Sequence, residues 1–518
     1  MRDLNVSTKT NKSLLFIRAD ATTKIGTGHI MRCIALAQAY QDKGGRVIFL
    51  SYCESDYLHT RILNEGCEYF PLENIHSRSS DLELTFDFMS KFRDPQSSIP
   101  NWVVLDGYHF DSAYQKAIKK AGFRLFCIDD YGQADHYYAD MILNQNISAD
   151  ASFYQSRELH TQLLLGTNYV LLRREFWPWR GWKRIIPAIA SKILVTMGGA
   201  DSNNVTLKVI EAIKLLNKPT LDVKIVVGPS NPNAEAIKNS MLYAPCQMQY
   251  VENTINMPEL MGWADLAISA GGSTCWELAF MALPSIIVMT ADNQRYNAKV
   301  LDRENISTNL GWHQDVSAEK IASQLKHLMN NSEMRSLMSQ HGQVLVDGYG
   351  GQRISEIIIG QLLKLRPMLS DDCEMVWRWR NDYSVRAVSF SEAFITWEEH
   401  LSWFHERICR PYFYLALNQD DLPVGQVRFD QKQSEIIISI MIDSKFRHKN
   451  YGTCLVTIAC EKMFFDSDMT DIHAYLRPDN EASRQTFVKA GFKELPETVY
   501  QGHPAYHFIL TKYDSYPK

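Results

Sequence analysis

The 518-residue chain has no run of 18 or more apolar residues, so nothing in it reads as a membrane span. Its ten cysteines include no C-x-x-C pair, and no Cys/His group has zinc-finger spacing. That excludes the common zinc modules and predicts reduced, structural thiols in a cytoplasm. An excess of one charge is also lacking: 54 Lys and Arg stand against 59 Asp and Glu, for a net −5. This excludes a strongly basic nucleic-acid binder and an acidic disordered tail, though not a local basic patch. There is no low-complexity tract and no short-period repeat. The early apolar run Leu14–Ile17 is far too short for a signal-peptide core. What remains is ordinary globular usage, 45% hydrophobic and 22% charged. At roughly 100–200 residues per domain, the length predicts about three or four folding units.

Short apolar runs alternate with helical stretches over the first two-thirds of the chain. Ser13–Arg18, Val47–Ser51, Trp102–Leu105, Leu125–Ile128 and Met141–Leu143 read as buried strands. The pattern restarts at Lys192–Thr196 and continues through Asp222–Val227, Leu266–Ser269 and Ser285–Met289. Strands alternating with helices predict two similar α/β lobes built on parallel sheets. Trp177, Trp179 and Trp182, with Pro178 and Pro187, mark the junction and are expected to pack it. After Arg366-Pro367 the character changes to helices followed by a mostly antiparallel sheet, an α+β domain. The expected domains are therefore 13–170, 171–365 and 366–518.

Three places carry chemistry. The first is the loop Ile25-Gly26-Thr27-Gly28-His29-Ile30-Met31-Arg32, between the first strand and the first helix. Glycines there let the backbone approach a ligand, and the helix start offers free amides to an anion. The loop is neither G-x-G-x-x-G nor a Walker A. His29 alone could be an ordinary packing histidine. Its place after Gly26 and Gly28, at the head of a helix, makes it a candidate general base, because a neutral imidazole accepts a proton from water near pH 7.

The second is Ser269-Ala270-Gly271-Gly272-Ser273-Thr274-Cys275-Trp276-Glu277, at a strand end opening a helix. Gly271, Gly272, Ser273 and Thr274 form a candidate oxyanion or phosphate cradle, and Glu277 could accept from ribose hydroxyls. Met197-Gly198-Gly199 and Thr290-Ala291-Asp292-Asn293-Gln294 also follow strands. Each alone could be a tight turn. Three at the carboxyl ends of strands in one lobe point to nucleotide binding.

The third is Phe446-Arg447-His448-Lys449-Asn450-Tyr451-Gly452-Thr453, which follows a β-rich strand and opens a helix. Successive amides there can ring a pyrophosphate, with basic side chains adding charge. A basic helix cap would read the same way in isolation.

These residues resemble known families. The two-lobed layout, the G-G-S-T-x-W-E segment and the Asn293-Gln294 pair resemble GT-B enzymes acting on UDP-sugars. The G-T-G-H-x-x-R loop, Asp129-Asp130, the stretch Leu165–Arg173 and Met197-Gly198-Gly199-Ala200-Asp201 resemble the UDP-sugar hydrolases of pseudaminic acid biosynthesis, over about residues 13–345. The resemblance implies release of UDP from UDP-2,4-diacetamido-2,4,6-trideoxy-β-L-altropyranose by water attack at the anomeric carbon with inversion. His29 would be the base, 271–274 would hold the diphosphate, Glu277 the ribose, and Asn293 would touch substrate. Gly28, Arg32, Gly198, Gly199 and Gln294 join the expected substrate site. Asp106 and Tyr108 are candidates for the sugar pocket, although Gly107 stands where that family usually has histidine. No metal is required.

The 446–453 loop resembles the acetyl-CoA loop of GNAT N-acetyltransferases, with Asn450 in place of the first glycine. Asn480-Glu481-Ala482-Ser483, Phe487 and Ala490-Gly491-Phe492 resemble that family's second CoA element, and Trp377–Asp382 resembles amino-acceptor members. Arg447, His448, Lys449, Asn450, Tyr451, Gly452, Thr453 and Asn480 are the implied cofactor contacts. Phe487 stands where many members carry a tyrosine acid. The two resemblances together imply a bifunctional cytoplasmic enzyme. Its partners would be small: a UDP-amino-sugar and acetyl-CoA as co-substrate, with no nucleic acid and no membrane. A GT-B glycosyltransferase with an appended acetyltransferase, or a nucleotide-sugar sensor without catalysis, remains compatible with the residues.

Overall fold

The computed structural model describes residues 14–23, 25–72, 78–92, 101–252, 254–360, 363–418, 421–432, 435–447 and 451–512. The first sheet holds β1 (Leu14–Ala19), β2 (Arg46–Ser51), β3 (Glu68–Pro71), β4 (Trp102–Asp106), β5 (Arg124–Ile128), β6 (Met141–Asn144) and β7 (Gln162–Leu165). Their spatial order is β3-β2-β1-β4-β5-β6-β7, and all neighbours run parallel. The second sheet holds β8 (Lys192–Thr196), β9 (Asp222–Val227), β10 (Gln247–Glu252), β11 (Leu266–Ala270), β12 (Ser285–Met289) and β13 (Ser307–Trp312). It too is parallel, in the order β10-β9-β8-β11-β12-β13.

In both sheets the order reverses beside the first strand, between β1 and β4 and between β8 and β11. Crevices open at the carboxyl ends of strands where a doubly wound sheet reverses in this way. The central strands β1, β4 and β11 are buried along their whole length, as parallel strands covered by helices on both faces must be. That explains why they read as unbroken apolar runs. Arg18 is the exception inside β1. It is 1% exposed and held by Asp20 and Asp81, the latter at 2.9 Å.

The third sheet holds β14 (Lys364–Pro367), β15 (Phe413–Leu417), β16 (Pro423–Lys432), β17 (Glu435–Ile442), β18 (Asp471–Leu476), β19 (Lys493–Tyr500) and β20 (His503–Thr511). The order is β14-β15-β16-β17-β18-β20-β19, antiparallel except between β17 and β18. Two compact units result. One takes in both parallel sheets, to Ile354; the other is built on the chain from Ser355 onward. The domain boundary expected at 365/366 falls inside β14, where Leu365 and Arg366 pair with Ala416 and Leu415. The helix before it ends at Gly360. No helix among the described residues is long and apolar enough to cross a membrane.

Trp179 and Trp182 meet edge to face at 5.2 Å, against the core beneath β11 and β12. Phe176, just ahead of them in the chain, is fully buried.

Candidate active site

The first crevice is set by strand register. Ala19, the last residue of β1, lies opposite Asp106, the last residue of β4. After β1 the chain enters, by way of Gly26 and Thr27, the helix Gly28–Gln41, whose second residue is His29. His29 therefore stands directly above the Asp106 carboxylate, with Nδ1 2.5 Å from Oδ1. Arg32, one turn on, grips the same carboxylate twice, at 2.7 Å from each oxygen. Its far side reaches Asp130 at 2.8 Å. Burial alone would raise the Asp106 carboxyl, but the Arg32 charge and the hydrogen bonds from Arg32 and His29 more than offset it and hold the group well below the usual carboxylate range. Asp130 is lowered in the same way: burial pushes it up, and Arg32 above all brings it down.

An anionic carboxylate only accepts hydrogen bonds, so the short contact requires the proton on His29 Nδ1. The Nη2 of Arg32 is 3.3 Å from that nitrogen but donates to the same carboxylate at the shorter 2.7 Å. Nε2 is left as the nitrogen able to accept a proton. Asp106 has no exposed surface, so it sits under the imidazole and not in a sugar pocket as expected from the sequence. Its oxygens are already taken by His29, Arg32 and the Cys33 thiol.

Tyr108 does reach open space. Its ring meets the His29 ring edge to face at 5.1 Å, and its hydroxyl donates to Asp130 at 2.7 Å. Asn293, from the second lobe, donates to that hydroxyl at 2.6 Å. Sequence reasoning missed the residues that finish this network. Asn146 donates to Asp130 at 3.0 Å and accepts from Asn297 at 2.7 Å. The available signal was the polar run Asn144-Gln145-Asn146, buried at the end of an apolar strand. Asp129, noted beside Asp130, acts differently. It accepts from the amides of Tyr131 and Gly132 and so shapes the loop. His109 was also missed; it lies 3.3 Å from the buried Asp20 carboxylate.

The second lobe brings its own crevice against this one. The turn Met197-Gly198-Gly199 leaves β8, and Gly271–Ser273 leaves β11. Gly198 adopts φ +87°, a conformation that favours glycine. At Gly199 a Cβ would fall 2.0 Å from Oγ1 of Thr27. The Gly28 position is 3.9 Å from Ser273 Oγ by the same measure, so loops of the two lobes face each other here. Gln294 braces the cradle, its Oε1 accepting from the Gly271 amide at 3.2 Å and the Thr290 amide at 2.8 Å. Ser273 does not cap the helix Thr274–Phe280 that it precedes, so its hydroxyl is not spent there. Glu277 is engaged by Arg173 at 2.8 Å. Burial raises its carboxyl and Arg173 opposes the rise.

The close approach at Gly199 gives a first test. Gly199→Ala forces the Thr27 loop and the Gly199 turn apart by steric overlap. If this crevice takes the UDP-sugar that the sequence resemblance implies, kcat/KM should fall about 10–10²-fold, since displacements near 1 Å cost that much in positioned reactions. Because the Thr27 β-carbon is itself 2.8 Å away, Thr27→Gly in the same chain should recover most of the loss in steady-state kinetics.

In the other unit, β17 runs into the turn Ser444–Phe446 and then to the helix Tyr451–Asp466. His448, Lys449 and Asn450 lie outside the described residues. Arg447 is anchored by Nε to the Ile442 carbonyl at 3.1 Å and by Nη1 to Ser384 at 2.6 Å. A cleft of about 650 Å³ opens at this end of β17, lined in part by Arg378, Trp379, Asp443, Lys445 and Arg447. Tyr451 is buried in the core, and Gly452 packs toward Thr486, 3.5 Å from a notional Cβ. Thr453 follows in the first turn of that helix. Asn480 caps the helix Glu481–Lys489 by accepting from the Ser483 amide at 3.1 Å. Phe487 is 2% exposed and packs on Phe492, a core side chain with no proton to give. Trp377 and Asn381 instead organise the loop ahead of the next helix, both bonding the Ile395 carbonyl.

Two parallel-sheet lobes with apposed crevices define a GT-B-like unit, and the third sheet, with its single parallel pair, is that of a GNAT domain. Family models agree: residues 192–345 match the glycosyltransferase family 28 C-terminal domain, and residues 363–493 match the acetyltransferase (GNAT) domain. An uncharacterized protein of Methanocaldococcus jannaschii is 24% identical over 503 residues, covering 92% of this chain and 96% of its own. A spore coat polysaccharide biosynthesis protein of Bacillus subtilis is 24% identical over 66% of this chain and 96% of its own. The UDP-2,4-diacetamido-2,4,6-trideoxy-beta-L-altropyranose hydrolase of Campylobacter jejuni is 23% identical over 43% of this chain and 73% of its own.

Proposed function

We propose that the chain is a bifunctional enzyme of nucleotide-sugar metabolism. Its GNAT domain acetylates the 4-amine of UDP-4-amino-4,6-dideoxy-β-L-AltNAc with acetyl-CoA. Its two-lobed unit then hydrolyses the product, UDP-2,4-diacetamido-2,4,6-trideoxy-β-L-altropyranose, to UDP and the free sugar. The observation that carries the hydrolase reading is the His29–Asp106 pair at the β1/β4 crevice, facing the glycine turns of the second lobe. The similarity to the C. jejuni hydrolase supports the substrate class.

In this mechanism Nε2 of His29 takes a proton from water as the oxygen attacks the anomeric carbon. The bond from that carbon to the diphosphate oxygen breaks on the opposite face, inverting the centre, and UDP leaves with the electron pair. Asp106 stabilises the imidazolium that forms, and Arg32 keeps Asp106 ionised. The amides and hydroxyls of 271–274 meet the growing diphosphate charge, with Gly198 and Gly199 admitting the chain close to it. Glu277 binds the ribose, Arg173 holding its carboxylate in place. Tyr108 and Asn293 contact the sugar. Acetyl-CoA lies along 446–453 and Asn480. Carrying both steps on one chain raises the effective concentration of the first product for the second site.

The test is a time-resolved NMR assay on the UDP-4-amino sugar with and without acetyl-CoA. The expected course is consumption of acetyl-CoA, transient acetylated nucleotide sugar, then UDP and free α-configured diacetamido sugar. Acetylation without UDP release unless an acceptor is added would replace the hydrolase with a glycosyltransferase.

A further inference from the structure

The third sheet carries an ionisable cluster that the mechanism above leaves unused. Glu435 opens β17, His473 and Tyr475 lie on β18, and His507 lies on β20. Alternation along β18 turns Ile472, Ala474 and Leu476 into the core and leaves His473 and Tyr475 on the other, half-buried face. Tyr475 lies opposite His507 across the ladder, the rings 4.5 Å apart and 15° from parallel. Tyr500 stacks with Tyr475 at 4.3 Å. The Tyr475 hydroxyl donates to Glu435 at 2.9 Å.

The two histidines meet in a telling geometry. Nδ1 of His473 is 2.9 Å from Nε2 of His507, and the ring centres are 5.2 Å apart. That difference is only the two ring radii, so the imidazoles meet end to end. Rings sharing a metal ion aim their nitrogens at a common point about 2.0–2.1 Å from each. Here one lone pair points at the other ring's N–H, which is a hydrogen bond and a place to store a proton.

The location matters equally. β17 and β18 run parallel but are paired only at Ile437 and His473. A short segment is tied over this face: Arg477 donates to the Ser389 carbonyl at 3.2 Å and to Glu392 at 2.6 Å, while Phe390 meets Tyr500 edge to face at 5.2 Å.

We propose that the His473–His507 pair is the proton acceptor of the acetyltransferase reaction, taking a proton from the acceptor's ammonium group on the half-buried face of the sheet that carries both rings. The inference rests on the acetyltransferase reading and supplies the base that reading lacks. The pair removes one proton from R–NH₃⁺. The freed nitrogen attacks the thioester carbonyl; the C–N bond forms and the C–S bond breaks. CoA leaves as thiolate and takes the second proton that the nitrogen sheds. The proton on the pair passes to solvent, so ammonium and thioester give amide, thiol and one H⁺. Burial lowers the His507 imidazole and His473 adds to this, against Glu435. The other titratable groups facing the pair are Glu435, Tyr475, and Tyr500 with Lys432 on its hydroxyl; His503 lies beyond, beside Phe390.

The full chain would be assayed with acetyl-CoA and the UDP-4-amino sugar across pH, as wild type, His473→Gln and His507→Gln. We expect kcat for acetylation to fall about 10²–10³-fold in each variant, with loss of the neutral-range limb of the pH profile. Acetyl-CoA affinity by calorimetry should stay at the wild-type value, which shows that the domain remains folded. Variants that keep the wild-type rate and pH limb would overturn the inference and leave the acetyltransferase standing. One equivalent of tightly bound zinc, with turnover lost to a chelator, would overturn it in favour of a metal site. A wild type that transfers no acetyl group would remove the acetyltransferase reading and this inference with it.

Discussion

On the proposed reading, His29→Ala is expected to stop UDP release. A positioned general base contributes about 10²–10⁴-fold, so we expect kcat/KM for hydrolysis to drop by about 10³ or more, roughly 4 kcal/mol of transition-state stabilisation. Acetylation, carried out in the other unit, should continue at the wild-type rate, and the acetylated nucleotide sugar should accumulate in the NMR time course. KM should change little, because the lost interaction forms only as the water is deprotonated. A variant that hydrolyses at near the wild-type rate would place the base elsewhere.

Asp106→Asn tests the partner. The amide cannot hold the proton on His29 Nδ1 as a carboxylate does, and it offers less charge to the imidazolium. We expect hydrolysis to fall about 10²–10⁴-fold, again without loss of acetylation. The substitution also leaves Arg32 short of a buried partner, and breaking a buried pair costs about 3–5 kcal/mol. A lower Tm for the two-lobed unit should therefore accompany the kinetic loss, so the rate should be measured well below it. The sign of the pH dependence follows from the depressed Asp106 carboxyl. Its stabilising effect is complete above the unfolded carboxyl range near about pH 4 and is lost only as pH falls through the lower folded value. Between about pH 5 and 8 Asp106 therefore stays ionised, and a change of hydrolysis rate in that window reports a group other than Asp106.

Much of the fold was legible because the central strands are covered on both faces. β1, β4 and β11 read as continuous apolar runs since no position in them faces water. The edges did not read. β3 and β10 are half-exposed, with polar residues such as Gln247, Gln249 and Glu252 in β10, and no apolar run marks them. β19 is similar, with exposed Lys493, Glu494 and Glu497. Within the site, His29, the glycine turns and Asn293 could be found because each sits beside a strand end. Asp130, Asn146 and Asn297 could not be grouped, because only the folded sheet brings residues so distant in the chain to one carboxylate. Asp106 departs from its expected place for a related reason: burial beneath a histidine is a property of register, invisible in the order of residues. On the acetyltransferase side, His473 and His507 are 34 residues apart and meet only through the pairing of β18 with β20.

The register of Ala19 against Asp106 also bears on how such an enzyme can diversify. His29 and the carboxylate beneath it are fixed by strand pairing and the first turn of a helix, whereas Tyr108 and Asn293 hang from the loops that follow. Those loops can drift, lengthen or exchange residues without retuning the proton chemistry. On the proposed reading, a lineage built on this frame could acquire new sugars by remodelling its rim while inheriting its reaction intact.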